Sequence, residues 1–402
     1  MSLKRRAPLL GRLGLLALLA LQPLGCGKAI QRFDRNTVLA GLDEPDIGLV
    51  VGDFPLTKVI DGDTIRVDGL SASMRLLGLD TEETFKKKSE WAEFDKGWAV
   101  YLAEAQAKTK SPVKIPTPMG EEAKKFAVEF FRGVRTVHLE RDHPKEIRDF
   151  YNRFLTYVFI DRDGKRINYN VECVRAGMSP YFSKYGYSRR FHNEFVQAQD
   201  EARKAGRGIW DPSKQHYTDY DRRLEWWNRR GDYIQAFERD AGDRKNWIVL
   251  TNWDAMDRLK GLLGREVVVL GSIGDIRKSE TGPTKVMLSR RRVGSFPLIF
   301  FDQQVLQDSK VETAKGEYIR ARGIVASYKN KYTGKVELQI MVTLPGQIEI
   351  EPLPPEPVAE LPAAPALPPE PDAAPTPVPV TEPEPAPVTE PAAPADPPAS
   401  RP

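Results

Sequence analysis

The amino-acid sequence predicts an α+β protein of two small β-barrels, the first carrying helices and the second nearly all strand, ending in an extended tail. Three observations carry this. Short strands bounded by turn residues alternate with amphipathic helical runs across residues 53–214. Five strand-like runs, with a glycine inside the first and the fourth, fill 246–350. The last segment, 351–402, holds 20 of the chain's 33 prolines, nine acids, one arginine and no aromatic residue. Such a stretch lacks amide donors and apolar bulk, so it reads as a disordered, partly polyproline II arm.

The first 26 residues carry Lys4, Arg5, Arg6 and Arg12, no acid, and then the apolar run Leu13-Gly14-Leu15-Leu16-Ala17-Leu18-Leu19-Ala20-Leu21. A basic leader before a short apolar run reads as an export signal. The run is about half the ~20 residues that span a bilayer. Pro23-Leu24-Gly25-Cys26 resembles the lipobox of bacterial lipoproteins, whose cysteine becomes the lipidated first residue, although Pro23 and Leu24 depart from it. The expectation is a protein of the bacterial cell envelope, anchored to the membrane through Cys26; the alternative is ordinary cleavage and release, periplasmic or secreted. The other cysteine, Cys173, lies in an apolar helical run and reads as a small buried hydrophobe. Two cysteines give no disulfide framework. Net charge is +4 for the whole chain and about +8 for residues 27–350, which favours a polyanionic partner.

Residues 27–52 read as a linker. Strands follow at Leu56 to Val59, Thr64 to Val67 and Met74 to Leu79, separated by Asp61-Gly62 and Asp68-Gly69. Ala123, Phe126, Ala127 and Phe130 share one face of a helix over 120–132. Strands come next at 136–140 and 153–161, with Asp163-Gly164 turning into 165–168; helices over 168–176 and 190–204 stop at Gly177 and Gly206. Residues 215–245 form a connecting helix rich in Trp226, Trp227 and arginine. The second block has strands at 266–273, 285–288, 297–301, 318–325 and 336–340. Its strand count, glycine placement and ending Leu344-Pro345-Gly346-Gln347-Ile348-Glu349-Ile350 resemble an oligonucleotide/oligosaccharide-binding (OB) fold.

The chemistry concentrates in Asp61-Gly62-Asp63-Thr64 and in Arg75-Leu76-Leu77-Gly78-Leu79-Asp80-Thr81-Glu82-Glu83. Acids clustered beside a guanidinium on two neighbouring strands suit a hard, oxygen-ligated cation and a phosphate in one pocket. That pairing points to metal-assisted cleavage of a phosphodiester. Asp161 and Asp163 read as hairpin polar residues, and the four histidines share no ligand spacing.

Together with Tyr151-Asn152-Arg153 and Gly208-Ile209-Trp210, these motifs resemble the staphylococcal nuclease (thermonuclease) family over roughly 53–212. The resemblance implies an OB-type five-stranded barrel with three helices and Ca²⁺-dependent hydrolysis of DNA and/or RNA that leaves 3′-phosphate ends. It implies that Asp63, Asp80 and the Thr81 carbonyl hold the calcium, that Glu83 handles the attacking water and that Arg75 and Arg153 bind the scissile phosphate. Tyr151 would lie beside the nucleotide, with Tyr185 or Tyr187 facing substrate. The competing expectation is a nuclease-like barrel that binds nucleic acid or a protein without cutting.

The sequence departs from the family pattern in three places. Glu82 replaces a proline, which is expected to loosen the loop carrying Glu83 or to alter cation binding through its extra charge. Asn152 replaces a glycine, a change tolerable at left-handed φ. The insertion 85–118, with Lys86, Lys87, Lys88, Trp91, Trp98, Lys108, Lys110 and Lys114, reads either as a solvated helical insert or as a basic lid over the substrate. In the second barrel Arg290, Arg291, Arg292, Arg320 and Arg322 are candidates for a nucleic-acid grip, against a structural or protein-docking role.

Overall fold

The computed structural model describes residues 48–108, 112–289, 295–329 and 334–350. The signal with Cys26, Lys110, Arg290 to Arg292 and the proline-rich arm lie outside the described residues. Among those described, no helix is long and apolar enough to cross a membrane.

The first barrel is built from β1 (Val50–Val59), β2 (Thr64–Val67), β3 (Met74–Leu76), β4 (Thr136–Glu140) and β5 (Phe154–Arg162). β1 pairs with β2 and β4, β2 with β3, and β4 with β5, all antiparallel; parallel β3–β5 pairing closes the ring. β6 (Lys165–Asn168) returns along β5 through the expected hairpin, where Asp163 takes φ +52° and Asp161 pairs with Arg166. Phe54, Ile65, Leu76, Val137 and Val158 fill the interior. The inserted segment holds α1 (Lys88–Phe94) and α2 (Trp98–Ala107), after which α3 (Pro118–Phe130) begins. α4 (Tyr169–Arg175) and α5 (His192–Lys204) add Val174 and Phe195 to the core. Cys173 is fully buried there, and burial pushes its thiol up to about 12, so it is inert packing as expected.

The second barrel repeats that topology. β8 (Glu266–Arg277), β9 (Thr284–Ser289), β10 (Phe296–Phe300), β11 (Tyr318–Lys329) and β12 (Val336–Val342) close through antiparallel β8–β11 and parallel β10–β12 pairs. This is the OB-type ring the sequence pattern resembled. The two interior glycines sit where walls approach closely: a Cβ on Gly271 would lie 2.8 Å from Leu250, and one on Gly323 2.5 Å from Ile340. β7 (Trp247–Val249) and α7 (Ala255–Gly261) precede the ring, α8 (Gln303–Asp308) follows β10, and β13 (Ile348–Ile350) adds to β11.

α6 (Tyr220–Ala241) joins the barrels. Its Tyr233, Ile234 and Phe237 pack on Val268, Leu270 and Tyr318, while Trp227 meets Phe182 of the first domain edge-on. Arg230 is buried between the two. It pairs with Glu317 at 2.8 Å, donates to the Gly316 carbonyl at 3.1 Å and to the Lys184 carbonyl at 3.3 Å, and stacks on Trp226 and Tyr318. Arg320 is likewise spent at this junction, between Asp240 and Glu349 over the rings of Tyr233 and Phe237. Its guanidinium is paired inside the junction, whereas Arg322 is exposed. Truncating a buried, paired cation leaves its partner desolvated, so Arg230→Ala is expected to lower unfolding stability by about 3–5 kcal/mol. Arg230→Lys recovers only part, because an ammonium lacks the fork. Denaturant titration of the three proteins checks this.

Candidate active site

The β1–β2 turn is closed by bonds from the Ile60 and Asp61 N–H groups to the Thr64 carbonyl at 2.9 and 3.3 Å. Asp61 Oδ1 accepts the Asp63 N–H at 3.2 Å, which aims Asp63 across the sheet. The register Thr64↔Arg75 sets Arg75 beside Asp63. Arg75 then bridges two acids: Nη1 pairs with Asp63 Oδ2, and Nη2 with Asp80 Oδ1 at 2.8 Å. Asp63 also accepts the Thr81 N–H at 3.1 Å and the Thr64 hydroxyl at 2.8 Å. Asp80 is held by its N–H on the buried Ser179 hydroxyl at 2.9 Å.

A second cation reaches Asp80. Lys114, from the inserted segment, puts Nζ 3.0 Å from Oδ1 and 2.7 Å from Oδ2. Burial works against the Asp80 carboxylate, but Lys114 and then Arg75 hold it below the ordinary carboxylate range. At Asp61 burial, and then the charge of Asp63, push the carboxyl up to about 6. Burial also opposes the charge on Arg75, which Asp63 and Asp80 restore and raise further.

The remaining candidates flank this cluster. Glu83 pairs with Lys86 at 3.0 Å, both partly exposed. Its carbonyl accepts the Thr117 N–H at 3.0 Å, and a Cβ on Gly120 would lie 2.0 Å from that oxygen, so only glycine lets α3 sit this close to the loop. Arg153 is carried to the start of β5 by Asn152 at φ +67°. Asp149 accepts its N–H at 2.9 Å and its Nε–H at 2.7 Å. Parallel pairing sets Leu155 opposite Arg75, which brings Arg153 alongside Ser73 on the neighbouring strand. Tyr151 is 69% exposed, and Arg153 lies over its ring at 5.6 Å. Tyr185 is also exposed (64%), with its hydroxyl in the field of Arg230, Asp80, Lys114 and Arg75. Tyr187 is turned to α6 instead, its hydroxyl donating to the Asn228 carbonyl and to Asp232, both at 3.1 Å.

Glu82 corrects an expectation. It neither loosens the loop nor lends its charge to the Asp63–Asp80 pair. Its side chain is buried (2% exposed) and accepts from the Tyr217 N–H and the Tyr220 hydroxyl, both at 2.7 Å, and from the Thr117 hydroxyl. The residue in the proline's place thus fastens the site loop to the far end of the insertion and to α6. Sequence reasoning missed this latch because its partners lie 35 to 138 positions away. It placed Asp61 in the acid motif without giving it a role of its own, and it had no means to single out Lys114 from the insertion's other lysines.

The model for "Staphylococcal nuclease homologue" matches residues 73–212. A thermonuclease of Staphylococcus hyicus is 31% identical over 162 residues, 39% of this chain and 75% of the relative. The chain belongs to the staphylococcal nuclease family. The thermonuclease of Staphylococcus intermedius is 29% identical over 160 residues, 39% of this chain and 76% of that protein. An uncharacterized protein of Methanocaldococcus jannaschii is 30% identical over 164 residues, covering 39% and 70%. The family match begins at Ser73, so Asp63 joins it through the strand pairing, and α6 with the second barrel lies beyond it.

The donor set suits a hard cation. Asp63 and Asp80 converge within the width of one guanidinium, and every candidate ligand atom is an oxygen. Among the described residues, no group of three or more Asp, Glu, His or Cys side chains gathers at ligand spacing. The fit therefore rests on the two carboxylates, which Thr81 meets through its N–H on Asp63.

The Glu82 latch is testable. Glu82→Pro strands three buried donors and is expected to cost about 2–4 kcal/mol, while Glu82→Gln keeps most of the bonds and costs less. Burial holds the Glu82 pKa above its ordinary value of 4.5, so the native state binds this proton more tightly than the unfolded chain. Its contribution is full below 4.5 and is lost as pH rises through the folded value. The stability of wild type relative to Glu82→Gln should therefore fall with rising pH in denaturant titrations.

Proposed function

We propose that this chain is a Ca²⁺-dependent phosphodiesterase that hydrolyses DNA and/or RNA to 3′-phosphate ends. The observation that carries the reading is the convergence of Asp63 and Asp80 on Arg75 in a staphylococcal nuclease-family barrel. Asp63, Asp80 and the Thr81 carbonyl would hold the ion. Bound there, Ca²⁺ supplies positive charge to the scissile phosphate.

This chain's own residues do the rest. Glu83, three residues beyond Asp80, orients a water and takes its proton as the oxygen attacks phosphorus. The bond to the 5′ oxygen breaks, that oxygen takes a proton from solvent to become a hydroxyl, and the phosphate stays on the 3′ side. Arg75 and Arg153 brace the phosphorane, whose equatorial oxygens carry the added charge, with planar forks that match them. Tyr151 and Tyr185 offer exposed rings for the flanking nucleosides. The second barrel supplies further contact with nucleic acid through Arg322 and the basic run Arg290, Arg291 and Arg292. The amino-terminal signal supports export to the bacterial cell envelope with a lipid anchor at Cys26.

Incubating the purified protein with plasmid DNA and with RNA, in Ca²⁺ or in chelator, tests the activity. Cleavage in Ca²⁺ that stops in chelator is expected; no cleavage at any Ca²⁺ level favours the binding module. Glu83→Gln is expected to lower kcat by about 10²- to 10⁴-fold while an oligonucleotide binds as before. Cys26→Ala is expected to move the protein from the membrane fraction to the soluble one; an unchanged distribution removes the anchor.

A further inference from the structure

The backbone around Lys114 is fixed on both sides. The Val113 carbonyl accepts from Arg223 Nη2 at 2.8 Å, and Arg223 is itself buried and paired with Asp219 at 2.7 Å. The Ile115 N–H donates to the Tyr217 hydroxyl oxygen at 2.9 Å, and the Ile115 carbonyl accepts from that hydroxyl at 2.7 Å. The Pro116 carbonyl accepts from the Tyr101 hydroxyl at 3.0 Å, and Thr117 bonds Glu83. Val113 is buried against Leu102. The backbone on either side is thus tied to α2, to α6 and Tyr217 just before it, and to the site loop, while the Lys114 side chain between them is 52% exposed with its ammonium on Asp80.

Arg75 and Lys114 differ in how they can move. Arg75 sits in the barrel wall, 13% exposed, and spans two acids. Lys114 is a point charge on a four-carbon stem, and a half-exposed ion pair of this kind is weak. It nonetheless covers both Asp80 oxygens, which a divalent ion would need. An ammonium and a divalent cation cannot share one carboxylate without strong repulsion. Beside Lys114 a cleft of about 550 Å³, lined by Tyr101, Glu104, Lys108 and Val113 among others, leaves the side chain room to leave.

We infer that Lys114 is an exchangeable counter-ion: it neutralises Asp80 until a divalent ion takes that carboxylate, and its ammonium then binds a phosphate oxygen of the nucleic-acid substrate. The inference rests on the metal-and-phosphate reading of the same site. It makes the insertion a contributor of one substrate-binding cation held at the site by its anchored backbone.

Two binding measurements on the full chain test it. Lys114→Met keeps the stem and removes the charge, and Lys114→Arg restores a charge. Titrated calorimetrically with Ca²⁺ alone, Lys114→Met is expected to bind about five- to tenfold more tightly than wild type. In Ca²⁺ and a Glu83→Gln background, the salt dependence of single-stranded oligonucleotide binding should be shallower in Lys114→Met by about 0.7 in log K against log salt, with Lys114→Arg restoring it. Unchanged Ca²⁺ affinity, or no Ca²⁺ binding by either protein, overturns the exchange. An unchanged salt slope overturns the phosphate contact and leaves the ammonium to Glu90, Glu93 or Glu104 of the cleft. Neither readout depends on turnover, so absence of cleavage by wild type fails the hydrolase reading separately.

Discussion

The arginine that spans Asp63 and Asp80 is the interaction around which the first barrel is arranged. Two carboxylates brought this close into a crowded wall repel and lose hydration, and the cost is tolerable only with a cation between them. Everything that places the three groups follows from strand pairing. The β1–β2 turn presents Asp63, the register Thr64↔Arg75 sets the guanidinium beside it, and the chain leaving β3 returns Asp80 to the other Nη. Parallel β3–β5 pairing sets Arg153, just before β5, alongside Ser73 at the start of β3.

The parts of the chain beyond the family match brace that arrangement from outside. α6 supplies Tyr220 to Glu82 and Arg223 to Val113, while Tyr217, just before it, holds Ile115. The insertion is therefore neither a solvated appendage nor a free lid at its carboxyl end. Residues 112–117 are bonded to the site loop and to the connecting helix, and among them the Lys114 side chain is the exposed one. α6 is in turn fixed to the second barrel by Arg230 and Glu317, so the Glu82 loop, the insertion and the second barrel share one buried polar framework.

Much of this was legible in the sequence where local chemistry decides structure. Turn residues and alternation placed β2, β4 and β6, and the acid and arginine motifs located the cluster. Other boundaries depended on contacts. β3 was expected to reach Leu79 but ends at Leu76, because Gly78 turns the chain at φ +73°. α3 starts at Pro118, two residues before the expected start; Thr117 caps it by accepting the Gly120 N–H at 3.0 Å, a Thr-Pro start signal that was there to be read. β1 begins at Val50, inside the segment read as linker, since β4 pairs with it from Val50. β7 and α7 went unread because their short apolar runs gain order only from β8 and the second core. The role of Glu82 was misread for the same reason: a family-based expectation about one loop position has no access to acceptors and donors more than a hundred residues away.

The central claim is that Asp63 and Asp80 hold a single ion between them. Thermal unfolding with and without saturating Ca²⁺, for wild type, Asp63→Asn, Asp80→Asn and the double variant, tests it most directly. Ligand binding to the native state raises Tm, so wild type should gain stability, and either single substitution should abolish the gain as completely as both together. Single variants that each retain a share of the gain, with the shares adding to the wild-type value, would contradict a shared site.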